Sequence, residues 1–258
     1  MTHAVASRMW ALEPATYVSP AAAQLLGQEA PRIPFPVYLV EHAEGLVLFD
    51  AGLAPEAAGD PGSVYGELAG RLCIDFAREH LIEHQLQALG FSLGEVTTVV
   101  ASHLHFDHAG ALKQFPHART LIGSGEMTYA LAPERFASGW YRREDFDDVH
   151  GIRWQEIPCD HDLFGDGAVT ALHMPGHTPG SLALMVRLPG SSYVLTGDVV
   201  HTRGAYEGEI AYHGDVDTVA ARQSLRKLKF LADTHRANVW IAHDPDDWVH
   251  WGGAGEKR

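Results

Sequence analysis

The chain has 258 residues, is 46% hydrophobic and carries a formal charge of −14. That apolar content can bury a sizeable core, and the chain reads as one domain over residues 1–258, with 1–33 as an N-terminal extension or a substrate-pocket loop. The acidic balance argues against nucleic acid as a partner, since affinity for phosphate backbones comes from Lys and Arg; no run approaches the ~20 apolar residues of a membrane span, and residues 1–14 lack the basic start and apolar core of an export signal, so a soluble, cytoplasmic protein is expected.

In chain order, a hairpin is expected over 35–50, turning through Ala43-Glu44-Gly45, followed by a Gly- and Pro-rich loop over 52–66. Asp75 is placed to cap a helix running to Leu89, with Ile82, Leu86 and Leu89 on one face and Gly90 just past its end. On that helix, His80-Leu-Ile-Glu-His84 matches the His-x-x-Glu-His pattern of inverted zinc peptidases. A solvated helix face explains it as simply, because such a match arises in roughly 0.07 of chains of this composition. A strand at 96–101 leads into Ser102-His103-Leu104-His105-Phe106-Asp107-His108. A short helix at 109–115, a strand at 119–123 and a helix at 124–131 follow. The segment 127–146 then gathers Met127, Tyr129, Phe136, Trp140, Tyr141 and Phe146. Together with the apolar stretch 25–35, it suits either a pocket wall or core packing and a homodimer contact.

The second half repeats the alternation of strands and helices without repeating the sequence. A strand at 168–174 runs into Pro175-Gly176-His177-Thr178, and one at 193–196 into Gly197-Asp198. Asp217 is placed to cap a helix over 218–235, with Val219, Leu225, Leu228 and Leu231 near one stripe. A strand at 238–242 ends at His243-Asp244. Strands alternating with helices indicate an α/β class. Cys73 and Cys159 are too few for a disulfide framework and are expected to be reduced, partly buried thiols.

The chemistry concentrates at strand ends. With 17 His and 17 Asp in the chain, a His-x-His-x-Asp-His run arises by accident in roughly 0.005 of such chains. Two imidazoles at i and i+2 in a turn after a strand can converge on one cation. Asp107 and His108 follow where the chain reverses and suit a second cation, a pair able to hold hydroxide and polarise a carbonyl or phosphoryl oxygen. The candidate ligands are His103, His105, Asp107, His108, His177, Asp198 and His243. Taken singly, His177, Asp198 and His243 would more often serve turns and caps than ligate, and each gains from its place after a strand beside the 103–108 block. Asp50 either orients a ligand or stabilises the turn into Gly52. His173 is expected to pack in its strand, and His42, His117, His150, His161, His213, His235 and His250 to lie on the surface or in loops.

Asp50-Ala-Gly52, the 103–108 block, Gly176-His177-Thr178, Thr196-Gly197-Asp198 and Ala242-His243-Asp244 occur in the order found in the metallo-β-lactamase superfamily, which the chain resembles from about Pro34 to His243. The resemblance implies an αββα sandwich, two mixed β-sheets flanked by helices, with two zinc ions per chain; Fe, Co or Mn are other divalent occupants. It assigns His103, His105 and His177 to one ion, Asp107, His108 and His243 to the other, and Asp198 to a bridge.

Within that superfamily, residues 34–52 and 102–110 look like the opening hairpin and metal loop of the N-acyl-homoserine lactone lactonases. His201 stands where many of those enzymes have a tyrosine, three residues after the bridging aspartate. The implied activity is that of a carboxylic ester hydrolase opening a lactone by attack of a metal-bridging hydroxide, with His201 stabilising the oxyanion and Asp107 passing a proton to the leaving alkoxide, which would silence bacterial quorum signals. A phosphotriesterase or arylesterase using the same site, and a non-catalytic binding module, are the alternatives. The acidic chain favours a neutral small-molecule lactone or ester as substrate.

Overall fold

Strand-forming runs such as Val96-Thr-Thr-Val-Val100 build two sheets in a computed structural model that describes residues 6–18, 30–147 and 151–257. The strands are β1 (Arg8–Ala11), β2 (Ala15–Tyr17), β3 (Ile33–Phe35), β4 (Tyr38–His42), β5 (Gly45–Phe49), β6 (Val96–Val100), β7 (Arg119–Gly123), β8 (Arg153–Ile157), β9 (His161–Asp162), β10 (Val169–His173), β11 (Leu182–Arg187), β12 (Ser192–Leu195), β13 (Asn238–Trp240) and β14 (Gly255–Lys257). One sheet has seven strands in the order β14-β1-β4-β5-β6-β7-β8, the other five in the order β13-β12-β11-β10-β9, and β2 pairs with β3 separately. Both large sheets are mixed: β5, β6, β7 and β8 run parallel, as do β12 and β13, while the remaining pairs are antiparallel.

The sheets face each other across one apolar layer. Val40, Val47, Phe49, Val100 and Leu121 from the larger meet Ala171, Leu184, Val186, Leu195 and Trp240 from the smaller. The outer face of the larger sheet buries Leu39, Leu48 and Val99 against Ile82, Leu86, Leu112 and Phe115. That of the smaller sheet buries Ala183, Met185 and Val194 against Leu225, Leu228 and Ala232. Strands covered on both faces read as near-continuous apolar runs, as Gly45-Leu-Val-Leu-Phe49 does, and the result is the expected αββα sandwich.

Helices follow local signals only where tertiary contacts agree. We label α1 (Gly62–Tyr65), α2 (Glu67–Leu72), α3 (Ile82–Ala88), α4 (Phe106–Ala109), α5 (Glu126–Leu131), α6 (Arg203–Gly208), α7 (Thr218–His235) and α8 (Pro245–His250). α7 matches its sequence reading, with the Asp217 carboxylate accepting from the Val219 and Ala220 amides, but its buried stripe uses Ala221 and Ser224, while Val219 is 66% exposed. The helix expected from Asp75 begins only at Ile82, because Asp75 bonds Thr16 through its backbone and Arg32 through its carboxylate and so caps nothing. His80 therefore sits in a separate turn, its Nδ1 accepting from the Ala77 amide, and shares no helix with His84. Leu89 is exposed. The helix expected at 109–115 starts earlier, at Phe106, inside the histidine block.

Other expectations change with the tertiary structure. Arg8–Ala11, within the expected N-terminal extension, is a strand of the larger sheet, since β1 lies between β14 and β4. Cys73 and Cys159 are exposed rather than partly buried. His42 is buried, stacked on Phe164 and paired with Asp166 at 3.0 Å. His150 and much of the 25–35 stretch lie outside the described residues. Among the described residues no helix is long and apolar enough to cross a membrane.

The two halves pack backbone to backbone at Gly123, where β7 ends. A Cβ at Gly123 would stand 2.2 Å from the Gly180 carbonyl oxygen. Because a backbone atom cannot swing aside, Gly123→Ala should cost about 1–3 kcal/mol of stability, measured by urea unfolding; an unchanged midpoint would contradict the contact.

Candidate metal centre

Loops leaving β5, β6, β10, β12 and β13 meet at one edge of the sandwich and bring all seven sequence-predicted ligands together. His103, His105, His177 and Asp198 form one group whose ligand atoms lie within 4.8 Å of one another, and Asp107, His108 and His243 form a second on the same criterion. In the first, His105 Nδ1 is 2.9 Å from His103 Nε2 and 3.3 Å from His177 Nε2. In the second, His108 Nε2 and His243 Nε2 are 3.2 Å apart, with Asp107 Oδ2 at 3.5 and 3.6 Å from them. Asp198 joins the groups: Oδ1 lies 3.0 Å from His243 and 3.3 Å from His108, and Oδ2 lies 3.4 Å from His177 and 3.9 Å from His103.

Partners on the far side of the rings orient them. The Nδ1–H of His108 donates to Asp50 Oδ2 at 2.8 Å, that of His177 to Asp215 Oδ1 at 3.1 Å, and that of His243 to the Pro34 carbonyl at 2.8 Å. His103 Nδ1 is 3.0 Å from Ser102 Oγ. A ring that donates from Nδ1 turns the lone pair of Nε2 inward, which is how ligand tautomers are set in metal sites. Asp50 also accepts the Ser102 amide at 2.6 Å. It holds a left-handed φ of 63°, a strained conformation for a residue with a Cβ, of the kind that persists where surroundings over-determine it. The Asp50 expectation thus resolves toward orientation, while Ser102, Asp215 and the Pro34 carbonyl carried no signal in the sequence.

This donor set fits a divalent cation. Asp198 Oδ1 is buried without a hydrogen bond and lies close to the Nε2 atoms of His108 and His243, an arrangement that a proton on a ring or a cation must compensate. Burial holds His103 and His105 well below the ordinary histidine pKa, so both are neutral and ready to ligate. Burial would also lower His108 and His243, but nearby carboxylates outweigh it and raise both, led by Asp107 for His108 and Asp198 for His243.

Above the cluster opens a cavity of about 480 Å³, walled by Phe35, Leu72, Phe106, Phe136, Trp140 and Val216 and floored by His105, Asp107, His177, Asp198 and His243. The 127–146 segment thus divides its aromatics. Phe136 and Trp140 reach the cavity, Phe146 is core, and Tyr141 stands edge-on to His105 at 4.7 Å. His201 lines the same cavity, with Nε2 3.2 Å from Asp198 Oδ2, and packs against Tyr212 at 4.4 Å between ring centres. Tyr17 and Tyr212 also line it. Burial and the charge of nearby aspartates raise both phenol pKa values, keeping them protonated donors.

An αββα sandwich with this cluster at its strand ends defines a metal-dependent hydrolase. The chain belongs to the metallo-beta-lactamase superfamily, whose family model matches residues 36–243. It is similar to N-acyl homoserine lactonase AttM of Rhizobium radiobacter, at 37% identity over 229 residues and 87% of either chain. It is also similar to an N-acyl homoserine lactonase of Bacillus sp, at 28% over 214 residues and 82% of either chain. Among solved structures, the fold resembles that of a B. thuringiensis AiiA mutant with N-decanoyl-L-homoserine bound, with a TM-score of 0.82, 23% identity, and coverage of 96% of this chain and 97% of that one.

Two outcomes test the centre. In Asp50→Asn the side-chain amide would face His108 Nδ1 and reverse its tautomer, so cation affinity should fall about 10–100-fold, as read by competition with a chromogenic chelator; wild-type affinity would contradict the assigned donor. Because His108 and His243 titrate above the ordinary histidine value, a cation must displace their protons, so uptake near pH 7 should release protons and weaken as pH falls. Calorimetry in two buffers of different ionisation heat measures that release, and a count of zero would contradict it.

Proposed function

We propose that this protein opens the ring of N-acyl homoserine lactones with two divalent ions, zinc being the ordinary occupant, at the seven-residue centre. The observation that carries this reading is the placing of the Asp198 carboxylate between the two ligand groups on the floor of an apolar-walled cavity. His103, His105 and His177 would hold one ion, Asp107, His108 and His243 the other, with Asp198 bridging. The activity named for the 37% identical relative supports the substrate class. Bound cations would supply a water acidified toward neutral pKa and an electrophile for the carbonyl oxygen.

The chain's own residues do the rest. The aromatic wall of Phe35, Phe106, Phe136 and Trp140 accepts an acyl chain by burying its apolar surface, and the polar edge of the lactone is left toward the floor. His201 lines that wall beside Asp198 and would donate a hydrogen bond to the carbonyl oxygen as charge develops there. Asp107 opens onto the cavity from the floor, and although burial would raise its pKa, His108 and His243 outweigh that and keep it an ionised carboxylate. It would take the proton released as water adds to the carbonyl carbon and hand it to the alkoxide oxygen that leaves when the ring opens. The product is an N-acyl homoserine carrying a free carboxylate and a hydroxyl.

A panel of acyl-homoserine lactones, aliphatic lactones, phosphotriesters and aryl acetates, assayed with and without chelator, ranks the substrates. Acyl-homoserine lactones should turn over fastest, and chelation should abolish the reaction. His105→Ala should abolish turnover with loss of metal, whereas His201→Phe should keep its metal and lose about 100–1,000-fold in kcat. Metal analysis far from two ions per chain, or phosphotriesters outrunning the lactones, would overturn the reading.

A further inference from the structure

Glu126 opens α5 and is fully buried, although it belongs to neither ligand group. Its carboxylate binds both loops that supply the three-histidine group. Oε1 accepts from the amide of Leu104, the residue between His103 and His105, at 2.9 Å. Oε2 accepts from Thr178 Oγ1 at 2.5 Å and from the Gly180 amide at 3.2 Å, in the loop that follows His177. The Tyr141 hydroxyl, whose ring stands against His105, lies 3.5 Å from Oε1. The backbone leaves no slack, since a Cβ at Gly180 would stand 2.4 Å from Glu126 Cβ. The group of Asp107, His108 and His243 is anchored elsewhere, by Asp50 and the Pro34 carbonyl.

We propose that Glu126 is a positioning residue that clasps the 103–105 loop of one sheet to the 177–180 loop of the other. It sets the separation of His103 and His105 from His177 and makes one of the two cation positions depend on it. This rests on the reading of a two-cation site given above. A buried carboxylate suits the task because each of its oxygens accepts from a different loop, so neither loop can shift without leaving a charge short of donors. Its hydrogen bonds to main-chain amides hold backbone rather than rings. The clasp therefore governs where the ligands stand and leaves their tautomers to Asp215 and Ser102.

Cobalt(II) titration of the metal-stripped protein, followed by visible absorption and native mass spectrometry, tests the clasp. In Glu126→Gln one acceptor becomes an NH2 group aimed at donors. Affinity for one ion should fall about tenfold or more while the other binds as in wild type, and the residual spectrum should match that of His177→Ala rather than Asp107→Ala. Thr178→Val removes one bond of the clasp from the opposite side, and a smaller loss at the same position is expected. Combined with Glu126→Gln it should add little, because both act through one link. Equal weakening of both positions, a loss that follows only the melting temperature of the ion-free protein, or wild-type binding in Thr178→Val would each overturn the proposal. Wild-type protein that takes up no cobalt would instead overturn the reading of the site itself.

Discussion

The Asp198 carboxylate, buried among imidazole nitrogens contributed by both halves of the sandwich, is the feature on which the rest of the molecule depends. One oxygen faces His108 and His243, the other His177 and His201. In a low-dielectric setting, such a charge is tolerable only with close positive compensation. Burial would raise the Asp198 pKa, but His243 and His108, whose own pKa values are raised, outweigh it and hold the carboxyl well below its ordinary value. The protein therefore keeps a negative charge at the point where the two groups of potential ligands meet, a setting that favours a cation.

Around that charge the two sheets divide the work. The larger sheet supplies Asp50 and the 103–108 block from the ends of adjacent parallel strands, β5 and β6. The smaller supplies His177, Asp198 and His243 from the ends of β10, β12 and β13. Neither half holds a complete group, since each of the two mixes residues from both. Chemistry thus requires the sheets to be packed, and the apolar layer between them does more than stabilise: it sets the distance across which ligands converge. The close contacts at Gly123 and Gly180 and the buried Glu126 tighten that distance on one side.

The cavity above the cluster shows the same economy. Aromatic side chains from three separate stretches, at Phe35, Phe106 and Trp140, stack or meet edge-on and share one wall. Tyr17, Tyr212 and His201 add hydrogen-bonding groups between the apolar wall and the His/Asp floor. A site lined mostly by apolar groups with a few polar ones at fixed points suits a ligand with a hydrocarbon tail and a compact polar head.

Much of this was legible in the sequence, because strand ends and metal-ligand spacing are local properties. The 103–108 block, the histidines and aspartate closing three further strands, and α7 with its Asp217 cap needed no knowledge of distant contacts, and neither did the alternation that indicates an α/β class. Where local signals misled, a distant partner had claimed the residue, as Thr16 and Arg32 claimed Asp75 and Asp166 claimed His42. The sequence by itself determined that side chains of metal-ligating type sit at strand ends, since this follows from residue type and short-range periodicity. Only the tertiary structure decided which rings turn which nitrogen inward, through partners such as the Pro34 carbonyl on His243, 209 residues away. It also placed Tyr17, Tyr212, Trp140 and Glu126 around the site, because such contacts are set by how the two sheets pack and leave no mark on the neighbouring sequence.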